Sequence, residues 1–189
     1  DGRIRKLDDL PQIFPADPVE TAEAWDCALQ AETSPSILCL SRQALPAFRD
    51  ATDINCVALG AYVAIEPDGG RDVTLIATGS EVSIAFEAAK LLGSENIRAA
   101  VVSAPCFDLF RKQPRDYQAK VLGDAPRIGV EAAVEGDWAR WLGDGGEFIG
   151  MNGFGASAPA DVLYREFGIT PAAVAAAARR VIQRQNERR

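Results

Sequence analysis

Five short apolar runs, alternating with helix-like patterns, constrain this chain more than any other feature. They lie at 61–65, 73–78 (VTLIAT), 97–103 (IRAAVVS), 127–131 (RIGVE) and 147–151 (EFIGM). Helix-period patterns occupy 81–92, 106–112, 115–122, 137–142, 159–167 and 171–186. Nearly unbroken apolar runs read as strands buried on both faces, which is the habit of parallel sheets. Strands that alternate with helices predict an α/β fold: a three-layer α/β/α sandwich around a mostly parallel, roughly five-stranded sheet with right-handed crossovers.

The residues before position 61 read differently. Residues 1–16 are polar and broken by prolines, with no clear period. Asp17-Pro18-Val19-Glu20 reads as a helix start, with an Asp cap, Pro in the first turn and Glu three residues on. That helix is predicted to run to about Gln30, with Val19, Ala22, Trp25 (or Asp26) and Leu29 along one face. Ser36–Leu40 (SILCL) reads as a short buried strand. One helix and one strand cannot bury a core alone, so this piece must lean on something else.

Composition narrows the classes. The chain has 189 residues, 48% of them hydrophobic and 25% charged, as in ordinary globular proteins. Its net charge of −7 argues against nucleic acid as a partner. No apolar run approaches the roughly 18 residues that span a membrane. The N-terminus lacks a signal-peptide core and an initiator Met, and reads as processed, trimmed or a fragment. Cys27, Cys39, Cys56 and Cys106 are scattered, with no C-x-x-C pair, so zinc is not expected and free thiols in a cytoplasmic setting are.

The segment Gly150–Thr170, GMNGFGASAPADVLYREFGIT, is the most specific stretch. Ser157 and Pro159 are placed to start a helix, Gly168 to end it in a left-handed turn, and Thr170-Pro171 to start the next. This segment resembles the signature near the C-terminus of bacterial transketolases. SAPCFDLFRKQPRDYQAKVLG (103–123), LSRQALP (40–46) and PADPVETAEAW (15–25) resemble further pieces of that family, in family order. The resemblance implies a remnant of the pyrimidine-binding domain at 1–50, partly ordered, a linker at 51–61, and a complete C-terminal domain at 62–189. Departures are visible too. Phe14 stands where the family has an Arg, and residues 1–13 match nothing in it. The diphosphate-binding Gly-Asp-Gly motif and the glutamate that activates the thiamine are read as absent. The chain has no histidine, whereas transketolase chemistry uses several.

Arg42 is the one site residue the resemblance supplies: in the family this arginine contacts the substrate phosphate, a task that suits a permanently charged planar fork of donors. From its residues alone it reads rather as a surface arginine paired with a nearby carboxylate. Ser41 and Gln43 are expected to hold the loop. Thr78-Gly79-Ser80-Glu81 is placed like a phosphate turn, but it has a single Gly and Ser80 reads better as an N-cap. Gly153–Ser157 is read the same way, as an anion turn or, better, as capping. Glu131, Glu135 and Asp137 form an irregular acidic group, expected to hold loop amides or a subunit contact. Trp138 and Trp141 share a helix face as a core or interface patch. Cys106 follows Pro105 at a helix start, a place that lowers a thiol pKa, yet reads as a buried structural thiol. Val174, Ala178, Val181 and Ile182 form a packing stripe.

The resemblance therefore implies a C-terminal segment or subunit of a transketolase, the thiamine-diphosphate-dependent enzyme that moves two-carbon ketol units between sugar phosphates. No catalytic, cofactor-binding or metal residue is expected in this chain. The cofactor and a divalent cation, Mg or Ca, belong to the complete enzyme. The expected partners are a chain carrying the N-terminal cofactor domains, a second copy in a homodimer, or both. A non-catalytic binding or scaffold module on the same fold and a truncated non-functional fragment are the alternatives.

Overall fold

Strand β4 (Val73–Ala77) is wholly buried and forms the centre of the sheet. Its alternate residues feed two cores. Val73, Leu75 and Ala77 face one side, and Ile76 the other. The computed structural model describes residues 11–50 and 52–188. Residues 1–10 of the expected domain remnant and residue 51 of the expected linker lie outside the described residues.

Around β4 the sheet adds β3 (Tyr62–Ile65), β5 (Ala99–Ser103), β6 (Arg127–Val134) and β7 (Glu147–Met151), in the order β3-β5-β4-β6-β7. All neighbours are parallel except β3, which runs antiparallel on the edge. One face is covered by α2 (Glu81–Ser94) and α7 (Pro171–Glu187). The other carries α3 (Phe107–Arg111), α4 (Arg115–Leu122) and α5 (Ala139–Leu142). This is the predicted α/β/α sandwich. Thr170 caps α7 through its side chain, with Pro171 in the first turn, and Gly168 sits at φ 70 after α6 (Ala160–Glu166). Both follow the sequence pattern. The α7 stripe also packs as expected, with Val174, Ala178 and Val181 buried and Ile182 at its margin.

Two caps differ from expectation. Ser80 is in the right-handed helical region and makes no cap bond; its hydroxyl turns to Glu81 instead. Ser157 lies three residues before α6, exposed, and Pro159 occupies the cap position with no side-chain bond.

The N-terminal unit comprises β1 (Gln12–Ile13), α1 (Pro18–Gln30) and β2 (Ile37–Leu38), with β1 and β2 paired in parallel. Asp17 and Pro18 begin α1 as the sequence requires. Its apolar stripe, however, faces outward: Trp25 is 53% and Leu29 77% exposed. The buried face holds Glu20, Glu23 and Ala24. The strand at 36–40 is shorter and wetter than read, with Ile37 and Leu38 half-buried and Leu40 exposed.

Acids explain this inversion. Glu20 accepts from the Ala16 amide (2.7 Å), the Tyr62 hydroxyl (2.7 Å) and the Ser103 hydroxyl (2.6 Å). One Glu23 oxygen accepts from the Arg49 guanidinium (2.7 Å) and the amides of Cys56 (3.0 Å) and Val57 (3.1 Å). Asp17 takes the amides of Glu20, Phe48 and Arg49. Buried carboxylates demand such partners; the second Glu23 oxygen is buried and has none among the described residues. The helix docks through hydrogen bonds on one side of a small core of Ile13, Ala24, Val57 and Cys106.

Candidate functional site

The sheet order reverses beside β4: β5 follows on one side and β6 on the other. Open α/β sheets place ligands beyond the carboxyl ends of their strands at such a point. Thr78, Gly79 and Ser80 leave β4 there, and Glu131 follows Val130, the last β6 residue paired with β4. A backbone strap already crosses it. The Phe14 carbonyl accepts from the Gly79 amide (3.1 Å), and the Phe14 amide donates to the Pro105 carbonyl (2.8 Å). The Gly79 donor that a phosphate would use is therefore committed to the chain's own backbone.

Phe14 and Glu131 line two clefts at this edge. One of about 420 Å³ is also bordered by Thr78, Asp108, Arg111 and Trp138. The other, of about 410 Å³, is bordered by Glu81, Ala156 and Tyr164. Thr78 is buried, and its hydroxyl has no hydrogen-bond partner among the described residues. A bound water suits such a group. Glu81 bonds the hydroxyls of Ser80 and Tyr164, which ties the start of α2 to α6. Burial pushes its carboxyl above the usual range, although those hydroxyls and the Ala132 amide pull it back. Burial also raises Glu131; the Trp138 indole N–H at 2.6 Å opposes the shift, and the Glu81 charge adds to it.

The acidic group does not come together. Glu131 is enclosed, whereas Glu135 and Asp137 are exposed. Among the described residues, no group of three or more His, Cys, Asp or Glu is arranged to hold a metal ion. Trp138 and Trp141 are core residues against Phe107. Cys106 is buried, and burial raises its thiol pKa, which leaves it a structural thiol. All four cysteines are free. The Gly153–Ser157 loop is exposed throughout and neither caps α6 nor packs. One Gly-Asp-Gly tripeptide does occur, at Gly143–Gly145, which corrects the reading that it is missing. It is a turn: Gly143 closes α5 at φ 70, and Gly146 donates back to the Gly143 carbonyl.

Arg42 lies beyond the carboxyl end of β2, exposed, with no salt bridge among the described residues. Sequence reasoning missed Phe14 as the strap, and it missed Glu20 and Glu23 as docking groups. The one signal for Glu20 was its place in the cap pattern of α1.

The Glu131 arrangement carries a pH dependence. The folded chain holds this proton more tightly than the unfolded chain. Its contribution to stability is therefore complete below the ordinary carboxylate range and is lost as pH rises through the raised folded value. Glu131→Gln keeps an acceptor for Trp138 without the charge. In urea titrations, the variant is expected to gain on the wild type as pH rises from about 4.5 to 7. A gap that stays constant across that range rules the effect out.

A doubly wound α/β domain whose switch-point edge is crossed by a preceding segment defines the class. Residues 60–170 match the family described as the transketolase-like TK C-terminal domain, and the chain belongs to that family. It is 54% identical over 177 residues to a transketolase of Cereibacter sphaeroides, covering 93% of this chain and 27% of that one. A solved transketolase from Leishmania mexicana superimposes with a TM-score of 0.84 at 41% identity, over 93% of this chain and 26% of that one. A transketolase mutant from Pichia stipitis, in complex with fructose-6-phosphate, does so at 0.85 and 35% identity, over 93% and 25%. The chain thus spans about a quarter of the length of the relatives it matches. No helix among the described residues is long and apolar enough to cross a membrane.

Proposed function

We propose that this chain is the C-terminal segment or subunit of a cytoplasmic transketolase, that it contributes Arg42 to the phosphate of the sugar substrate, and that it has no ketol-transfer activity alone. The family match over a chain a quarter as long as its relatives carries this reading. Thiamine diphosphate and its Mg or Ca ion belong on this reading to the preceding domains. The residues present do not suit the cofactor: the buried carboxylates of Glu20 and Glu81 are committed to the chain's own amides and hydroxyls, and no histidine is available. The preceding domains come from a partner chain or the upstream part of a longer one, and pairing into a dimer completes the enzyme. The Pichia stipitis relative is solved with fructose-6-phosphate, the class of ligand this reading assigns to Arg42.

The test is complementation. Mixed with a polypeptide carrying the preceding transketolase domains, the chain is expected to restore ketol transfer to a phosphorylated acceptor. Arg42→Ala is expected to raise the KM for that acceptor at least tenfold, about 1.4 kcal/mol. It should leave an unphosphorylated acceptor and the unfolding midpoint unchanged, since the side chain is exposed. Turnover by the chain alone, or equal losses with both acceptors, contradicts the reading.

A further inference from the structure

A pocket of about 350 Å³ opens at the amino-terminal edge of the sheet, where β6 and β7 begin. This is the opposite edge from the Phe14 strap. Arg127, Arg184 and Arg188 line it, with Asp124, Asp144 and the turn Gly143–Gly146.

Arg127 is unusual among the guanidiniums of this chain. It is half-buried and makes no salt bridge among the described residues. Its terminal nitrogens donate to two backbone carbonyls, those of Trp141 (3.0 Å) and Gly123 (2.7 Å). Its Nε–H is buried without an acceptor. A guanidinium offers five N–H donors; the buried Nε–H is closed to solvent, and one N–H on each terminal nitrogen remains for a ligand. Burial disfavours its charge; Asp124 offsets that, and Arg71 opposes it. Charge buried without a direct counter-ion is costly. The surroundings add cations. Arg180 and Arg184 share the single carboxylate of Glu147. Arg188 is exposed and unpaired among the described residues. On a chain of net charge −7, this corner is locally positive.

The turn leaves room for a ligand. Gly143 lies at φ 70. A Cβ on Gly146 would come within 2.9 Å of the Arg127 carbonyl, so glycine is needed to hold the turn against β6. Small residues here keep the space in front of the guanidiniums open.

We infer that this pocket binds a phosphoryl oxyanion through Arg127 and Arg188, with Arg184 at its rim. A planar fork of donors is the preferred partner of phosphate. Asp124 and Asp144 also line the pocket; carboxylates accept hydroxyls and repel a bare anion, which favours a phosphomonoester of a hydroxylated carrier. The site is separate from Arg42 and does not depend on its role.

The experiment uses the whole chain carrying Arg42→Ala, at ionic strength held constant with chloride. Inorganic phosphate and glycerol phosphate are titrated in and followed by calorimetry and by phosphorus NMR. Saturable binding is expected for both, tighter for the ester if its hydroxyls are read and equal if the free ion is the ligand. Arg188→Glu should weaken it at least tenfold, and Arg127→Gln should abolish it. If circular dichroism shows Arg127→Gln unfolded, the pair Arg184→Gln with Arg188→Gln takes its place and should lose binding equally. Absence of saturation, or affinity unmoved by Arg188→Glu and by the paired variant, overturns the inference. Binding present in the wild type and lost with Arg42→Ala alone assigns it to Arg42 and overturns the inference as well.

Discussion

Glu20→Ala is expected to cost about 3–5 kcal/mol of folding stability, a large share of what a domain of this size commands. Three donors lose their acceptor at once: the Ala16 amide and the hydroxyls of Tyr62 and Ser103. Tyr62 and Ser103 belong to β3 and β5, so the loss falls on the joint between α1 and the main sheet. Burial, then the Glu20 charge, hold the Tyr62 phenol well above its ordinary range, so that hydroxyl remains a donor seeking an acceptor. Urea unfolding is expected to show a lower midpoint. Limited proteolysis is expected to cut first within residues 11–50. Glu20→Gln retains one acceptor oxygen and should lose less. A folding stability within about 1 kcal/mol of wild type for Glu20→Ala would show that water satisfies these donors.

Gly60→Ala is the second large effect. Gly60 has φ 80, where side chains other than hydrogen are strained. A Cβ there would stand 2.0 Å from the Phe110 amide nitrogen and 2.5 Å from the Cys106 carbonyl oxygen. Both are backbone atoms of α3 and its cap and cannot rotate away. The Gly60 carbonyl also accepts from the Cys106 amide at 2.9 Å, so displacing the chain breaks that bond too. A loss of about 4 kcal/mol or more, or failure to fold, is expected. Circular dichroism and soluble yield read it directly. A variant as stable as wild type would mean that 57–60 relocates without cost.

How much of this was legible follows from where each interaction partner lies in the chain. The strands at 73–77 and 99–103 could be read because parallel strands buried on both faces must be apolar throughout. The caps at Asp17 and Thr170 could be read because donor and acceptor sit three residues apart. The burial of Glu20 could not. Its partners are 42 and 83 positions away, and no local pattern distinguishes a satisfied buried carboxylate from a solvated one. For the same reason the outward face of Trp25 and Leu29 was inverted. Ser80 departs from the cap pattern because its own backbone is already helical, and its hydroxyl donates to Glu81 while accepting from Tyr164, 84 positions away. Arg42 was located by resemblance, not by local chemistry. Phe14 stood out only as a departure from the family pattern, while its function is carried by main-chain atoms that any residue has.

The Phe14 crossing joins the N-terminal unit to the main sheet through backbone bonds alone. A solute claiming the Gly79 nitrogen must evict Phe14, and the same tug pulls on the neighbouring Gln12–Ile13 pairing with Ile37–Leu38. Four residues past that pairing stands Arg42. Because main-chain atoms make this crossing, any residue but proline at position 14 keeps the amide that bonds Pro105.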